Sequence, residues 1–109
     1  MKFFISQKMK GRSDEEILSE RHEVIEAIKK HNPKAEIIDS FFESAPDGAN
    51  PLWYLSKSLE LLSTADMAVF VDDCHFTSRG CRIEDVCCRE YGIDSCAYYT
   101  DQKDFVANG

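Results

Sequence analysis

The segment Ser-Arg-Gly-Cys-Arg-Ile-Glu at residues 78–84 combines residue types that can bind an anion and carry out chemistry beside it. Ser78, Arg79, Gly80 and Arg82 stand where a predicted helix begins, and a helix N-terminus presents free backbone N–H groups and a positive dipole. Together they would form a cradle for a phosphate or a carboxylate. The alternative is that Ser78 only caps the helix and that both arginines are solvated.

Glu84 is the candidate nucleophile of this segment. An acid in the first turn stabilises a helix in any case, so a purely stabilising role is the alternative. We expect the helix dipole and the nearby arginines to keep the carboxylate ionised. An ionised carboxylate in a ligand crevice can attack an anomeric carbon or stabilise an oxocarbenium ion, as retaining glycosidases do.

Further candidates follow two predicted strands. Asp72 and Asp73 end the third strand, where they could bind ribose hydroxyls or protonate a leaving base, or could simply be solvated loop residues. Ser6 and Gln7 end the first strand, where side chains can reach a base or a sugar. Residues 39–51 form a long loop that could act as a lid.

Three other chemistries have weaker support in the sequence. A Cys–His hydrolase would pair Cys74 or Cys81 with His75, but adjacent residues on an extended chain point apart. A zinc site would favour Cys-x-x-Cys spacing, which the sequence lacks, so we expect no metal. Trp53 and Tyr54 could stack on a base, although packing in the core or in a dimer interface is the more ordinary use of such residues.

Strands and helices alternate along the chain and must position these residues. Strands are predicted at residues 2–6, 35–40, 67–71 and 93–100. Helices are predicted from the Ser13/Glu16 capping box to Asn32-Pro33, from Asn50-Pro51 onward, and from about Gly80 to Tyr91 with Gly92 as C-cap. The second helix is expected to bury a stripe of Leu52, Leu55, Leu59 and Leu62. Thr100 is expected to cap a short terminal helix.

This alternation predicts an α/β fold in a single domain over residues 1–109. The expected architecture is a flavodoxin-like or Rossmann-like three-layer sandwich, with a four- to five-stranded parallel sheet in the order 2-1-3-4. Ligands bind such sheets beyond the carboxyl ends of the strands, where the strand order reverses. The loops Ser-Gln-Lys-Met-Lys-Gly-Arg (6–12) and Asp-Asp-Cys-His-Phe-Thr-Ser-Arg-Gly-Cys-Arg (72–82) would meet there.

The composition excludes several classes of function. A net charge of −7 argues against binding a nucleic-acid polymer, which needs a broad basic face. The five cysteines are an odd number, which favours free thiols in a reducing compartment. No apolar run approaches the roughly 20 residues of a membrane span. The first residues lack the apolar core of a signal peptide, so we expect a cytoplasmic protein.

Three motifs carry a resemblance to a known family: FFISQKMKGR, NPLWYLSKSLELLSTADMAVFV and SRGCRIE…YGI. Over about residues 1–95 the chain resembles the nucleoside 2-deoxyribosyltransferase-like superfamily, and most of all its small uncharacterised phage and bacterial branch. The resemblance implies that Glu84 is the nucleophile at the anomeric carbon of a nucleoside or nucleotide. Ser78 matches a serine that contacts phosphate in the deoxynucleoside 5′-monophosphate glycosidases. The resemblance also implies that the chemistry needs no cofactor and that the protein forms a homodimer or a higher homo-oligomer.

The chain departs from the family's enzymes at three positions. Ser58 stands where they carry an aspartate that assists the leaving base, Phe3 replaces a tyrosine, and Arg82 replaces a second glycine. A non-catalytic binder that senses or sequesters a nucleotide or a nucleotide-derived signal is therefore the alternative function, and a purely structural protein is a third. The predicted catalytic residues are Glu84 and Asp72. The predicted ligand contacts are Ser6, Gln7, Lys8, Met9, Gly11, Ser58, Ser78, Arg79, Gly80 and Arg82.

Overall fold

The apolar strand segments assemble into a five-stranded sheet in the computed structural model, which describes residues 1–42 and 46–107. The strands are β1 (Lys2–Ser6), β2 (Glu36–Ile37), β3 (Met67–Val71), β4 (Asp94–Tyr99) and β5 (Asp104–Ala107). They lie in the order β2-β1-β3-β4-β5. The first four are parallel and β5 is antiparallel to β4. The predicted order 2-1-3-4 is confirmed for the parallel strands, but the sheet is mixed rather than purely parallel.

The helices are α1 (Asp14–His31), α2 (Pro51–Leu62), the short α3 (Cys74–Thr77) and α4 (Arg79–Tyr91). The predicted caps are confirmed for α1 and α2, because Ser13 Oγ accepts from the Glu16 N–H at 3.2 Å and Asn50 Oδ1 accepts from the Trp53 N–H at 2.9 Å. Gly92 ends α4 with a φ of 72°, in the left-handed region that a Cβ disfavours. Within the described residues, every helix is too short or too polar to cross a bilayer.

Side chains alternate across the sheet and build one core on each face. One core has Phe3, Ile5, Val69, Val71 and Tyr98 under the α1 residues Val24 and Ile28. The other has Phe4, Ala68 and Phe70 packed with Leu62, Cys74, Cys81 and Cys88 of the helices α2, α3 and α4. The molecule is therefore a three-layer sandwich, and Ser6, two residues after Phe4, points toward the second core.

The C-terminal segment is a strand, so the predicted terminal helix is wrong. Lys103 N–H donates to the Tyr99 carbonyl at 2.7 Å, and its φ of 52° closes a tight turn that leads back into β5. Thr100 caps no helix. Its backbone N–H and its hydroxyl donate to the Asp72 carboxylate at 2.8 and 2.6 Å. Tertiary contacts with the end of β3 thus outweigh the local capping signal.

Two predicted elements are shorter or less buried than expected. Only Glu36–Ile37 of the predicted strand 35–40 forms a ladder, with β1. In α2, Leu62 is buried, Leu55 and Leu59 are half-buried, and Leu52 is 70% exposed. The leucine stripe is therefore not continuously buried. Its N-terminal half borders an open cavity instead of the sheet.

Candidate functional site

A cavity of about 880 Å³ opens at the carboxyl end of β1, beside the first turns of α2 and α4. This is the side of the sheet where the strand order reverses, as predicted for an open α/β fold. Its volume suits a small-molecule ligand. The predicted site residues that line it are Ser6, Gln7, Met9, Ser58, Ser78, Arg79, Gly80 and Glu84.

The centre of the cavity is the contact between Ser6 and Glu84. Ser6 Oγ donates to Glu84 Oε1 at 2.7 Å, and the two residues are only 2% and 6% exposed. Strand alternation turns Ser6 toward α4, and Glu84 lies in the second turn of that helix on its inner face. Two residues 78 positions apart in the chain are therefore joined in one hydrogen bond.

Glu84 is not held ionised, contrary to the expectation from its neighbours. Burial raises the pKa of Glu84 to about 8, while the hydrogen bond from Ser6 opposes that rise and the nearby Cys81 adds to it. Arg79 and Arg82 are both exposed to water, where their charges are screened. Loss of water around the buried carboxylate therefore affects the pKa of Glu84 more than the helix dipole and the two arginines do. The Glu84 side chain is mainly protonated at neutral pH.

The N-terminus of α4 faces the cavity without a side-chain cap. Ser78 occupies the N-cap position, but its side chain accepts no capping hydrogen bond. Ser78, Arg79 and Gly80 all line the cavity. A Cβ built at Gly80 would meet nothing within 4 Å. The first turn therefore presents open space, two side chains and the positive helix end to an incoming anion.

Two thiols adjoin the Ser6–Glu84 contact. Cys74 Sγ donates to the Ser6 carbonyl at 3.2 Å and lies 3.9 Å from Ser6 Oγ. Interaction with Cys74 is the main cause that lowers the pKa of the cavity-lining Cys81 to about 7. The same interaction and burial raise the pKa of Cys74. His75, which a Cys–His hydrolase would need, packs its ring against Phe70 and Phe76 instead.

Gln7 is oriented by a network on the α1 side of the cavity. Its Nε2 donates to the Ile17 carbonyl at 3.2 Å and to Glu20 Oε1 at 3.0 Å. Arg12 holds Glu20 through two hydrogen bonds of 3.0 and 3.1 Å, a bidentate geometry. Both N–H groups of the amide are thus used, and its buried Oε1 has no hydrogen-bond partner among the described residues. Arg12 pairs with Glu20 here.

Asp72 lies outside the cavity. Its carboxylate accepts both hydrogen bonds from Thr100, and Asp73 Oδ1 accepts from the Tyr99 hydroxyl at 2.6 Å. Both aspartates have a positive φ, 48° and 58°. They tie the end of β3 to the β4–β5 turn. Three other predicted ligand contacts do not line the cavity in the described part of the chain: Lys8, Gly11 and Arg82.

An apolar wall faces the polar centre, and most of it was not predicted. It includes Phe42, Leu52, Tyr54, Leu55 and Ile83. The rings of Phe42 and Tyr54 lie 6.3 Å apart. Tyr54, weighed from the sequence as a stacking residue or a packing residue, borders the cavity and is 40% exposed. Ser40 and Phe42 extend the wall into the predicted lid loop, whose residues 43–45 lie outside the described residues.

In the described part of the chain, no three His, Cys, Asp or Glu residues are grouped closely enough to hold a metal ion. The cavity is instead lined by one buried carboxyl, several hydroxyls, a thiol, two amides and aromatic rings. Neither protein-family models nor curated proteins match this chain when they are compared with it.

Proposed function

We propose that this protein binds a nucleoside or deoxynucleoside 5′-monophosphate and cleaves or transfers its N-glycosidic bond, with Glu84 as the nucleophile. One observation carries the proposal: a buried carboxyl, oriented by Ser6 at 2.7 Å, lies in a cavity that also contains the N-terminus of α4. A carboxylate and an anion cradle on the same helix suit a substrate that has both an anomeric carbon and a phosphate.

Each part of such a ligand has a complementary part of the cavity. The phosphate would meet Ser78, Arg79 and the first N–H groups of α4, where charge-assisted hydrogen bonds are strongest. The base would lie against the aromatic rings of Phe42 and Tyr54. The sugar would then lie over Ser6 and Glu84.

The proposed reaction begins with loss of the Glu84 proton. The carboxylate attacks the anomeric carbon, a C–O ester bond forms, and the C–N bond breaks with its electron pair leaving on the base. The departing nucleobase takes up a proton from solvent. Water or a second nucleobase then attacks the anomeric carbon and loses a proton to solvent, and the C–O bond to Glu84 breaks and releases the carboxylate. Because the pKa of Glu84 is about 8, turnover should rise with pH through that value.

A nucleotide binder without catalysis is the second candidate, and the surroundings of Glu84 favour it. Among the described residues that line the cavity, Glu84 is the single acid. Asp72, the predicted second acid, is bonded to Thr100. Ser58 lines the cavity, but a hydroxyl is a far weaker acid than a carboxyl group and does not protonate a leaving base in the way an aspartic acid would.

The test is chromatographic detection of free base after incubation with a panel of nucleoside and deoxynucleoside 5′-monophosphates at pH 6 to 9. We expect base release that increases with pH and falls by about 10³-fold or more in Glu84→Gln, because a neutral amide cannot attack. Glu90→Gln is the matched control, since it makes the same change at an exposed position of the same helix.

Equal turnover in wild type and Glu84→Gln would refute the nucleophile assignment. Absence of free base from every nucleotide, accompanied by a raised melting temperature with one of them, would establish the binder instead. Absence of both effects would reject the nucleotide ligand altogether.

A further inference from the structure

Gln7 carries a polar atom to which the proposed reaction assigns no role. The residue is 5% exposed and lines the cavity directly after Ser6. Its side-chain oxygen Oε1 is buried and has no hydrogen-bond partner among the described residues. A buried acceptor without a partner destabilises a fold, and native proteins contain few of them. In the wall of a cavity, such an atom indicates that a ligand supplies the missing donor.

The orientation of the Gln7 amide is fixed by its partners. Nε2 donates to the Ile17 carbonyl at 3.2 Å and to Glu20 Oε1 at 3.0 Å. A carbonyl and a carboxylate only accept hydrogen bonds, so the NH2 group must face them. Both partners belong to α1, which contributes none of the described residues that line the cavity. Oε1, on the other side of the same planar amide, is therefore the polar atom that Gln7 presents to the cavity.

Further contacts hold this orientation in place. Arg12 binds Glu20 through two hydrogen bonds of 3.0 and 3.1 Å, and it also donates to the Lys8 carbonyl at 2.9 Å. The loop after β1 and the helix α1 are thus connected through the partners of Gln7. Because the amide cannot turn without breaking its hydrogen bonds, a ligand loses little affinity to the ordering of this side chain.

We propose that Gln7 Oε1 accepts a hydrogen bond from a hydroxyl group of the ligand's sugar, and that Gln7 thereby selects the ligand by its sugar. The inference rests on the proposed function, which places the sugar over Ser6 and Glu84 and the base against the opposite, aromatic wall. Gln7 is the next residue after Ser6 in the chain. In a nucleoside 5′-monophosphate the donors of the sugar are its 2′ and 3′ hydroxyls, and a 2′-deoxynucleotide has only the latter.

The state of Oε1 in the free protein makes this contact selective. The oxygen has already lost its water, so a hydrogen bond from the sugar is not offset by the cost of drying the acceptor. A ligand that lacks the hydroxyl leaves Oε1 without a partner. We therefore expect such a ligand to bind at least about fivefold more weakly. Gln7 is a specificity-determining residue in this scheme and takes no part in bond cleavage.

The test measures dissociation constants by titration calorimetry at pH 6. Glu84 is then below its pKa of about 8, so the proposed turnover is slow. The ligands are the ribo, 2′-deoxy and 2′,3′-dideoxy forms of adenosine, guanosine, cytidine and uridine 5′-monophosphate. For the base that binds most tightly, one of the two removals should weaken binding at least about fivefold. A loss at the first removal identifies the 2′ hydroxyl as the donor, and a loss at the second identifies the 3′ hydroxyl.

Gln7→Met assigns the discrimination to this residue, because it keeps the length of the side chain and removes the acceptor. The three sugar forms should then bind within about twofold of one another. A purely structural role of Gln7 would weaken all three forms equally and leave their ratio unchanged. Gln102→Met is the matched control, since it makes the same change at an exposed position of the turn between β4 and β5. It should keep the wild-type ratio.

A measurement on wild type does not depend on the folding of a variant. In isotope-labelled protein, the side-chain amide signals of Gln7 should move when the tightest-binding hydroxylated nucleotide is added, because a hydrogen bond to Oε1 polarises the amide. They should move much less with the 2′,3′-dideoxy form of the same nucleotide.

Equal affinities for the three sugar forms in wild type would overturn the role of Gln7, as would a sugar ratio that Gln7→Met leaves unchanged. Either result is compatible with release of free base, so the proposed function would stand. Absence of binding by every nucleotide of the panel would instead reject the proposed function, and the inference about Gln7 with it.

Discussion

At the scale of single residues, burial is the main determinant of the pKa of Glu84. The helix N-terminus favours the charged carboxylate and Ser6 donates to it at 2.7 Å, yet the pKa is raised to about 8. At 6% exposure the side chain has lost most of its water. Removing water from a charge costs more than one hydrogen bond returns. The pKa of Glu84 therefore lies close to neutral pH, as the pKa values of catalytic groups often do.

Glu84→Gln is expected to stabilise the fold at alkaline pH. The folded-state pKa of Glu84 lies above its ordinary value of 4.5. Its favourable contribution is therefore complete below pH 4.5 and is lost as pH rises through about 8. The full shift corresponds to a destabilisation on the order of 5 kcal/mol at most. Urea unfolding of both proteins at pH 5, 7 and 9 should show the variant gaining on wild type at each step.

A difference between the two proteins that stays constant from pH 5 to 9 would contradict the raised pKa. Glu90→Gln again supplies the control, because an exposed glutamate on the same helix experiences no comparable loss of water.

At the scale of elements, the N-terminus of α4 is the part of the site that departs most from what a helix needs for its own stability. Ser78 makes no capping bond, and Gly80 lies in the first turn, where alanine would favour the helix more. No neighbouring atom within 4 Å requires a glycine there. The N-terminus of α4, which faces the cavity, is therefore less stable than a capped first turn without glycine would be.

Gly80→Ala is expected to raise stability by about 0.5 to 1 kcal/mol and to weaken nucleotide binding. The added methyl group gains helix propensity but occupies open space at the proposed phosphate position. Thermal melts with and without the tightest-binding nucleotide of the panel measure both effects. We expect at least about a fivefold loss of affinity.

Gly92→Ala at the other end of α4 should behave in the opposite way. Its φ of 72° is unfavourable for a Cβ, so stability should fall by about 1 kcal/mol while affinity is kept. Unchanged affinity in Gly80→Ala would show that the phosphate does not approach this turn.

At the scale of the whole molecule, β5 completes one of the two cores. Tyr98 of β4 is 2% exposed, its ring lies 4.9 Å from that of Phe105, and its hydroxyl donates to Glu23 at 2.9 Å. The hairpin of β4 and β5 thereby connects the sheet to α1. It also covers the edge of β4, which would otherwise present unpaired backbone groups.

Phe105→Ala is expected to lower the free energy of unfolding by about 2 kcal/mol, because it removes a half-buried ring from the core beneath α1. Val106→Ala is the matched control. It lies next in the strand, points to the other face and is 46% exposed, so its cost should stay within about 0.5 kcal/mol. Equal costs in urea unfolding would mean that β5 contributes no side-chain packing. Neither variant should change nucleotide affinity.

Local rules predicted most of the elements, and their failures have specific causes. Ser13, Asn50 and Gly92 mark helix ends through contacts within a few residues, so the sequence was sufficient there. Thr100 carried the same kind of signal, but Asp72, 28 positions away, takes both of its donors. The leucines of α2 follow a helical period, yet periodicity cannot show that half of the helix borders a cavity.

The sequence by itself determined the alternation of strands and helices, which depends on patterns local in the chain. The order of the four parallel strands and the end of the sheet where a site would form were predicted from the general rules of open α/β sheets. The tertiary structure decided which of the candidate residues meet. It brings Ser6, Cys81 and Glu84 together, holds Asp72 elsewhere, and raises the pKa of Glu84 to about 8. Burial and long-range contact are properties of the packed molecule, because no local pattern records how much water a side chain will lose.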